Sequence, residues 1–205
     1  MKLLLGTTNK GKLIEVQAAL QGLPLEILSP REFKIQEDPV EVGTTFVENA
    51  EQKARFYFER GHLPTLADDS GILVETLKEE LGLHTRRWGA GKDATDAEWI
   101  AHFLERMKNE ENRRARFVCV LAFVAAEGHV SFFEGHCEGT ITETLEAEYL
   151  PGLPLSACFK PEGSEKVFSA LSLEEKEKYS HRGRALALFR EFLSVAIKEA
   201  DTLQP

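Results

Sequence analysis

Cysteine is scarce in this chain. Cys119, Cys137 and Cys158 are an odd set, and no two have the spacing of a metal motif. That excludes a disulfide scaffold and a structural zinc site. Cys119 lies in an apolar run and reads as core packing. Long hydrophobic runs are also lacking. No stretch approaches the ~20 apolar residues of a membrane helix, and the leucines at 3, 4 and 5 are too few for the core of a signal peptide. The expectation is a cytoplasmic protein with no membrane partner. Basic charge is short as well: Lys+Arg number 25 against 34 Asp+Glu, a formal net charge of -9. Binding a phosphate backbone needs a basic surface, so a nucleic-acid polymer is excluded as partner. One small phosphate ligand in a local basic pocket is not. Internal repeats and low-complexity segments are missing too. What remains is a chain of 205 residues, 42% hydrophobic and 29% charged. That is the balance of a folded globular protein, and the length fits one domain spanning 1–205.

The stretch that organises the rest is Leu66–Leu77, LADDSGILVETL. Two consecutive carboxylates, a hydroxyl and a glycine separate two apolar runs. Asp-Ser-Gly is turn chemistry, so Asp68 and Asp69 are expected to end one strand and Gly71 to open the next. Adjacent residues on a strand point to opposite faces, so the two carboxylates have different jobs. One can face a ligand while the other holds backbone or a neighbouring group. Carboxylates beside apolar segments are costly unless paired, hydrogen-bonded or bound to a metal.

Candidate partners lie elsewhere. Lys2–Gly6 reads as a strand and Gly11–Leu20 as a helix with Leu13, Val16, Ala19 and Leu20 along one side. The Thr7–Lys12 link places free N–H groups and a helix dipole at an anion site, with Lys12 adding charge. From Gly6 the chain is almost a P-loop, but Leu13 replaces the hydroxyl residue that binds magnesium; a P-loop ATPase is excluded on that ground. Leu25–Leu28 reads as a second strand, and the loop after it carries Glu37, Asp38 and Glu41 around Pro39. Thr45 and Glu48 form a capping box opening a helix to about Arg60. Asn49 and Lys53 share one face of it, and Ala50, Ala54 and Tyr57 a packing stripe. Thr95 and Glu98 open a helix to about Lys108. Arg114–Ala125 and Val130–Thr142 read as long strands turning near Glu127-Gly128. Pro151–Pro154 is a rigid loop. Ser172 and Glu175 cap a short helix holding Lys176, and Ser180-His181-Arg182-Gly183 opens a last helix to about Ala200 with a stripe through Leu186, Phe189, Leu193 and Ile197.

Cations that bind polyphosphate, with acids that bind a divalent metal or activate water, make the inventory of a nucleoside-triphosphate hydrolase. Thr7-Thr8-Asn9-Lys10-Gly11-Lys12, Gly43-Thr44-Thr45-Phe46 with Asn49-Ala50 and Lys53-Ala54, Asp68-Asp69-Ser70-Gly71, Phe133-Glu134-Gly135 with Gly139 and Ile141, Lys176, and Ser180–Gly183 with Ala185-Leu186 follow in order. In this order they resemble the motifs of the inosine triphosphate pyrophosphatase family, the dITP/XTP pyrophosphatases. The resemblance spans nearly the whole chain. It implies an α/β fold with a long mixed sheet flanked by helices, two lobes and a cleft between them. It also implies a homodimer that uses magnesium (Mg2+) to split a non-standard purine triphosphate (ITP, dITP or XTP) into monophosphate and pyrophosphate. The implied substrate-binding residues are Thr7, Thr8, Asn9, Lys10, Gly11, Lys12, Lys53, Ser70, Leu153, Ser156, Lys176, His181 and Arg182. Asp69 would activate water and, with Glu41, hold the metal; His181 and Arg182 would approach the base.

The chain departs from the family pattern in places. Val40 stands where the first of two paired acids is expected before Gly43, leaving Glu41, with Glu37 and Asp38 as substitutes. The family's S-A-R becomes Thr85-Arg86-Arg87. G-F-G-Y-D-P becomes Gly152-Leu153-Pro154-Leu155-Ser156-Ala157, so Leu153 replaces the ring expected to stack on the base and Ser156 the aspartate. Discrimination between ITP or XTP and the ordinary triphosphates should therefore be weaker, with His181 and Arg182 supplying what remains, unless Trp88 or Phe159 replaces the ring. The alternative function is a nucleotide-binding regulatory protein derived from this family, with weak or no turnover.

Overall fold

The computed structural model describes residues 1–202 apart from 38, 79, 84–87, 92, 126 and 127. The expectations for Asp38, Thr85-Arg86-Arg87 and Glu127 lie outside the described residues.

A run of leucines makes β1, Lys2–Leu5, with Leu3, Leu4 and Leu5 buried. The chain then crosses through α1, Lys10–Ala19, to β2, Glu26–Leu28, and through α2, Phe46–Gly61, to β3, Thr65–Val74. β2 and β3 flank β1 in parallel, as strands joined by helical crossovers do. After α3, Asp96–Met107, the strands β4, Arg114–Val124, and β5, Val130–Ile141, form a long hairpin. β6, Phe159–Pro161, adds a short edge that no sequence pattern marks, being only three residues long. Two helices close the chain: α4, Leu173–Tyr179, and α5, His181–Thr202. The sheet runs β2-β1-β3-β4-β5-β6 and is mixed, because β3–β4, β4–β5 and β5–β6 are antiparallel. Among the described residues, no helix is long and apolar enough to cross a membrane.

The helix starts follow their caps. Thr95 with Glu98 and Ser172 with Glu175 are reciprocal boxes. At α2 the Thr45 hydroxyl accepts from the Glu48 amide, but the Glu48 carboxylate returns to Thr44, not Thr45.

The expectation for Asp68–Gly71 is corrected. These residues do not turn the chain; they lie inside β3, facing Leu121, Val120, Cys119 and Val118 of β4. Gly71 is required for a close approach: a Cβ there would stand 2.5 Å from the Gly82 carbonyl and 2.9 Å from the Phe46 ring. Strand alternation is kept. Leu66 and Ile72, on the Asp68 side, belong to two apolar clusters, one under α1 and α5 and one under α3. Ala67, on the Asp69 side, packs with Ala50 and Ala54 of α2. β1 pairs with β3 at Leu4↔Thr65 and Leu5↔Leu66. Past that point β3 runs on while β1 gives way to the Thr7–Asn9 loop. The edge of β3 at Asp68–Gly71 is thus open to one cleft from both faces.

Candidate active site

A cleft of about 380 Å³ lies at this open edge, within the size range of small-molecule sites. Thr7, Thr8, Asn9, Lys12, Glu41, Lys53, Asp69, Ser70, Leu153, Ser156, Lys176, His181 and Arg182 all line it. Lys10 and Gly11 are not in its wall. Lys10 is exposed on the first turn of α1. Gly11 is buried, and a Cβ on it would come within 2.7 Å of the Leu153 side chain; its work is to let the Leu153 loop pack down. Asn9 caps α1, its Oδ1 accepting from the Lys12 amide at 3.1 Å, while its Nδ2 donates to the Gly152 carbonyl at 3.1 Å. Gly152, at φ +82°, leaves no room there for a side chain. Its own amide donates to Asp96 at 2.6 Å. The Asn9 side chain is therefore committed to tying the loop to the first helix.

The two aspartates behave differently, as their opposite faces require. Asp68 meets Lys12 at 2.9 Å and the Arg182 guanidinium at 3.3 Å. Burial would push its carboxyl up, but Lys12 and Arg182 outweigh that and hold it well below the usual carboxylate range. Arg182 is 3% exposed; it also donates to Ser70 Oγ at 3.0 Å and pairs with Glu15 of α1. Asp69 faces α2, where Lys53 Nζ donates to its Oδ1 at 2.6 Å and also meets Glu41 at 2.7 Å. Here burial outweighs Lys53, so the Asp69 carboxyl is raised, with Glu41 adding to the rise. Asp69 Oδ2 is buried with no hydrogen-bond partner among the described residues. Burial works against the charge on Lys53, but Asp69 and Glu41 outweigh it and keep the ammonium charged.

At the far end the cleft turns apolar. His181, first residue of α5, stacks on Phe117 with 4.6 Å between centroids and 14° between planes. Burial, then the Arg182 charge, hold its imidazole neutral, well below the ordinary value. Its Nδ1 has no partner among the described residues. Ser156 donates its hydroxyl hydrogen to the Leu153 carbonyl at 2.6 Å, which leaves its oxygen as an acceptor. Neither Trp88 nor Phe159 replaces the ring at Leu153. Phe159 is fully buried against Phe117 and Phe168, Trp88 packs on His102 and Phe103, and neither lines the cleft. The rings that do are Trp99, Phe117 and Phe168, with Tyr57 at the other end.

A family profile described as the Ham1 family matches residues 3–192. The chain belongs to the Ham1 family. It is 38% identical over 192 residues to a dITP/XTP pyrophosphatase of Leptospira interrogans, covering 94% of this chain and 96% of that protein. To a dITP/XTP pyrophosphatase of Thermus thermophilus it is 40% identical over 193 residues, covering 93% and 91%. A solved HAM1 protein structure from Coxiella burnetii superposes with a TM-score of 0.80 at 33% identity, covering 95% of this chain and 98% of that one. The mixed sheet with flanking helices is thus the Ham1 fold.

Against the Ham1 motifs, the residues missed from sequence are those with long-range roles. Strand alternation sets Asp68 apart from Asp69 but names no partner for it. Glu15 lies three residues after Lys12, so helical spacing placed it on the same side of α1, but nothing local pairs it with Arg182. Trp99, Phe117 and Phe168 belong to a buried apolar cluster, and nothing in their local sequence marks their place in the cleft.

Proposed function

We propose that this chain adds water across the bond between the α- and β-phosphates of a non-standard purine triphosphate, releasing monophosphate and pyrophosphate. The relatives' names give dITP and XTP as substrates, and ITP, which carries the same base as dITP, is the third. The observation that carries the reading is Asp69. It is a buried carboxylate with a raised pKa and an unpartnered oxygen, set among cations able to hold phosphates. A raised pKa brings a general base closer to neutral pH, where it can accept a proton from water. Asp69 orients the water and receives its proton. Lys12, Lys53 and Lys176 hold the phosphate oxygens, with the Thr7 and Thr8 segment as further donors. Asp68 takes no proton; it keeps Lys12 and Arg182 in place.

A divalent cation fits at Glu41 and Asp69. Their oxygens already converge on one ammonium, at 2.7 and 2.6 Å, and Asp69 Oδ2 is free to add to the set. Among the described residues no group of three His, Cys, Asp or Glu is placed to hold a metal by itself. That favours magnesium, which takes one or two carboxylates and completes its shell with waters and substrate phosphates. Bound there, it would neutralise charge on the phosphates. We read the active form as a cytoplasmic homodimer on the family resemblance, which sedimentation of the purified chain checks.

The test is pyrophosphate release from a panel of ITP, XTP, GTP and ATP with magnesium. Stoichiometric monophosphate and pyrophosphate from ITP or XTP is the expected result. Tight nucleotide binding without turnover would instead favour a regulatory, nucleotide-binding role.

A further inference from the structure

We propose that Trp99 is the hydrogen-bond donor by which the cleft prefers a 6-oxopurine to a 6-aminopurine, an inference that rests on the nucleotide reading above. Trp99 is 1% exposed yet lines the cleft. One face of the indole stacks on Phe103, with 5.6 Å between centroids and 7° between planes. The apolar cluster around it, which includes Leu155 of the substituted loop, holds the ring. Among the described residues its Nε1 has no hydrogen-bond partner, whereas a buried indole N–H ordinarily finds one. Of Trp99, Phe117 and Phe168 in the cleft lining, Trp99 alone carries a polar atom, and the His181 imidazole is the other ring here that does. Its helix is also joined to the loop that approaches the base, since the Gly152 amide donates to Asp96, three residues before Trp99.

The chemistry of that atom selects its ligand. An indole N–H donates and cannot accept. The 6-oxygen of ITP or XTP accepts a hydrogen bond, while the 6-amino group of ATP offers donors, so an amino base would set donor against donor. The other polar groups here discriminate less. Ser156 has committed its hydrogen to Leu153. The neutral His181 Nδ1 can donate or accept according to tautomer. Arg182 also has an unpartnered Nε, but its other nitrogens are held by Glu15, Asp68 and Ser70. Trp99 thus supplies polar selectivity where Leu153 has removed the ring.

The test compares the intact protein with Trp99→Phe, which keeps an aromatic against Phe103. Equilibrium binding of inosine and adenosine monophosphates is measured by calorimetry, and kcat/KM for ITP and ATP by pyrophosphate release. The inosine-to-adenosine preference should fall by about tenfold, the worth of one well-placed donor, through weaker inosine binding. The ratio cancels any difference in folded fraction. The chain has two tryptophans, so in a Trp88→Phe background the fluorescence belongs to Trp99, and inosine monophosphate should shift its emission. An unchanged ratio, or an equal loss for both nucleotides, overturns the inference while leaving the hydrolase reading intact. If the parent binds without turnover, the hydrolase reading fails and the binding ratio still decides Trp99. If it binds neither nucleotide, both fall.

Discussion

Adjacent carboxylates on opposite faces of β3 should fail in opposite ways when neutralised. In Asp69→Asn the side chain keeps its shape and loses its proton acceptor. General base catalysis contributes about 10²–10⁴-fold, so kcat should drop by at least that range, about 3–5 kcal/mol of barrier, and further where metal positioning is lost. Stability should hardly move. The fold raises the Asp69 pKa, so ionising it is disfavoured by folding, and Lys53 keeps Glu41 at 2.7 Å. A change within about 1 kcal/mol, or roughly 2–4 °C in Tm for a chain of this size, is expected. Asp68→Asn is the counterpart. It leaves the buried Arg182 and Lys12 without their shared anion, and breaking a buried pair costs about 3–5 kcal/mol, or roughly 6–20 °C. Thermal melts and pyrophosphate release on both variants, from one preparation each, read the two effects apart. A folded Asp69→Asn protein with full activity, or equal loss of stability in both variants, would refute the division of labour.

Lys53 holds down the Asp69 pKa, so Lys53→Met should move the acid limb of kcat/KM to higher pH, and an unmoved limb would detach Asp69 from the reaction. Lys12→Ala should lower both stability and substrate affinity, since Lys12 pairs with Asp68 and lines the cleft; a variant with unchanged kinetics returns Lys12 to a structural role. His181 stays neutral in the fold while the unfolded chain takes up a proton near pH 6.5. Its contribution to stability is therefore complete above that pH and is lost as pH falls below it. His181→Phe should flatten the decline in Tm between pH 7 and 5, by about 1–2 kcal/mol at the acid end, and an unchanged slope counts against a neutral His181. With Leu153 offering no polar contact, kcat/KM for GTP should trail ITP by no more than roughly 10–200-fold, the reach of an apolar slot. A preference on the order of 10⁴ would mean a polar contact against the guanine amino group.

Local chemistry was readable without coordinates. Thr95 with Glu98 and Ser172 with Glu175 close their hydrogen bonds within four residues, so the helix starts stand in the sequence itself. Period-two alternation separated Asp68 from Asp69, and helical spacing put Lys53 beside Asn49. Motif order placed most of the cleft-lining residues and, through the resemblance, the fold. Tertiary structure decided what depends on pairing across the chain. Asp-Ser-Gly has turn propensity, yet the register with β4 and the approach of Gly82 and Phe46 keep it extended. Arg182 finds Glu15 across 167 positions, a partner set by how α5 packs on α1. Burial raises the pKa of both aspartates, and the cations around them then give opposite net shifts, Lys12 and Arg182 outweighing burial at Asp68 while burial outweighs Lys53 at Asp69, because desolvation and neighbouring charge are properties of the folded site and not of residue type. Nothing local marks Trp99 for the site, and only the packed cleft leaves its indole nitrogen without a partner among the described residues, in the same lining as the substituted base loop.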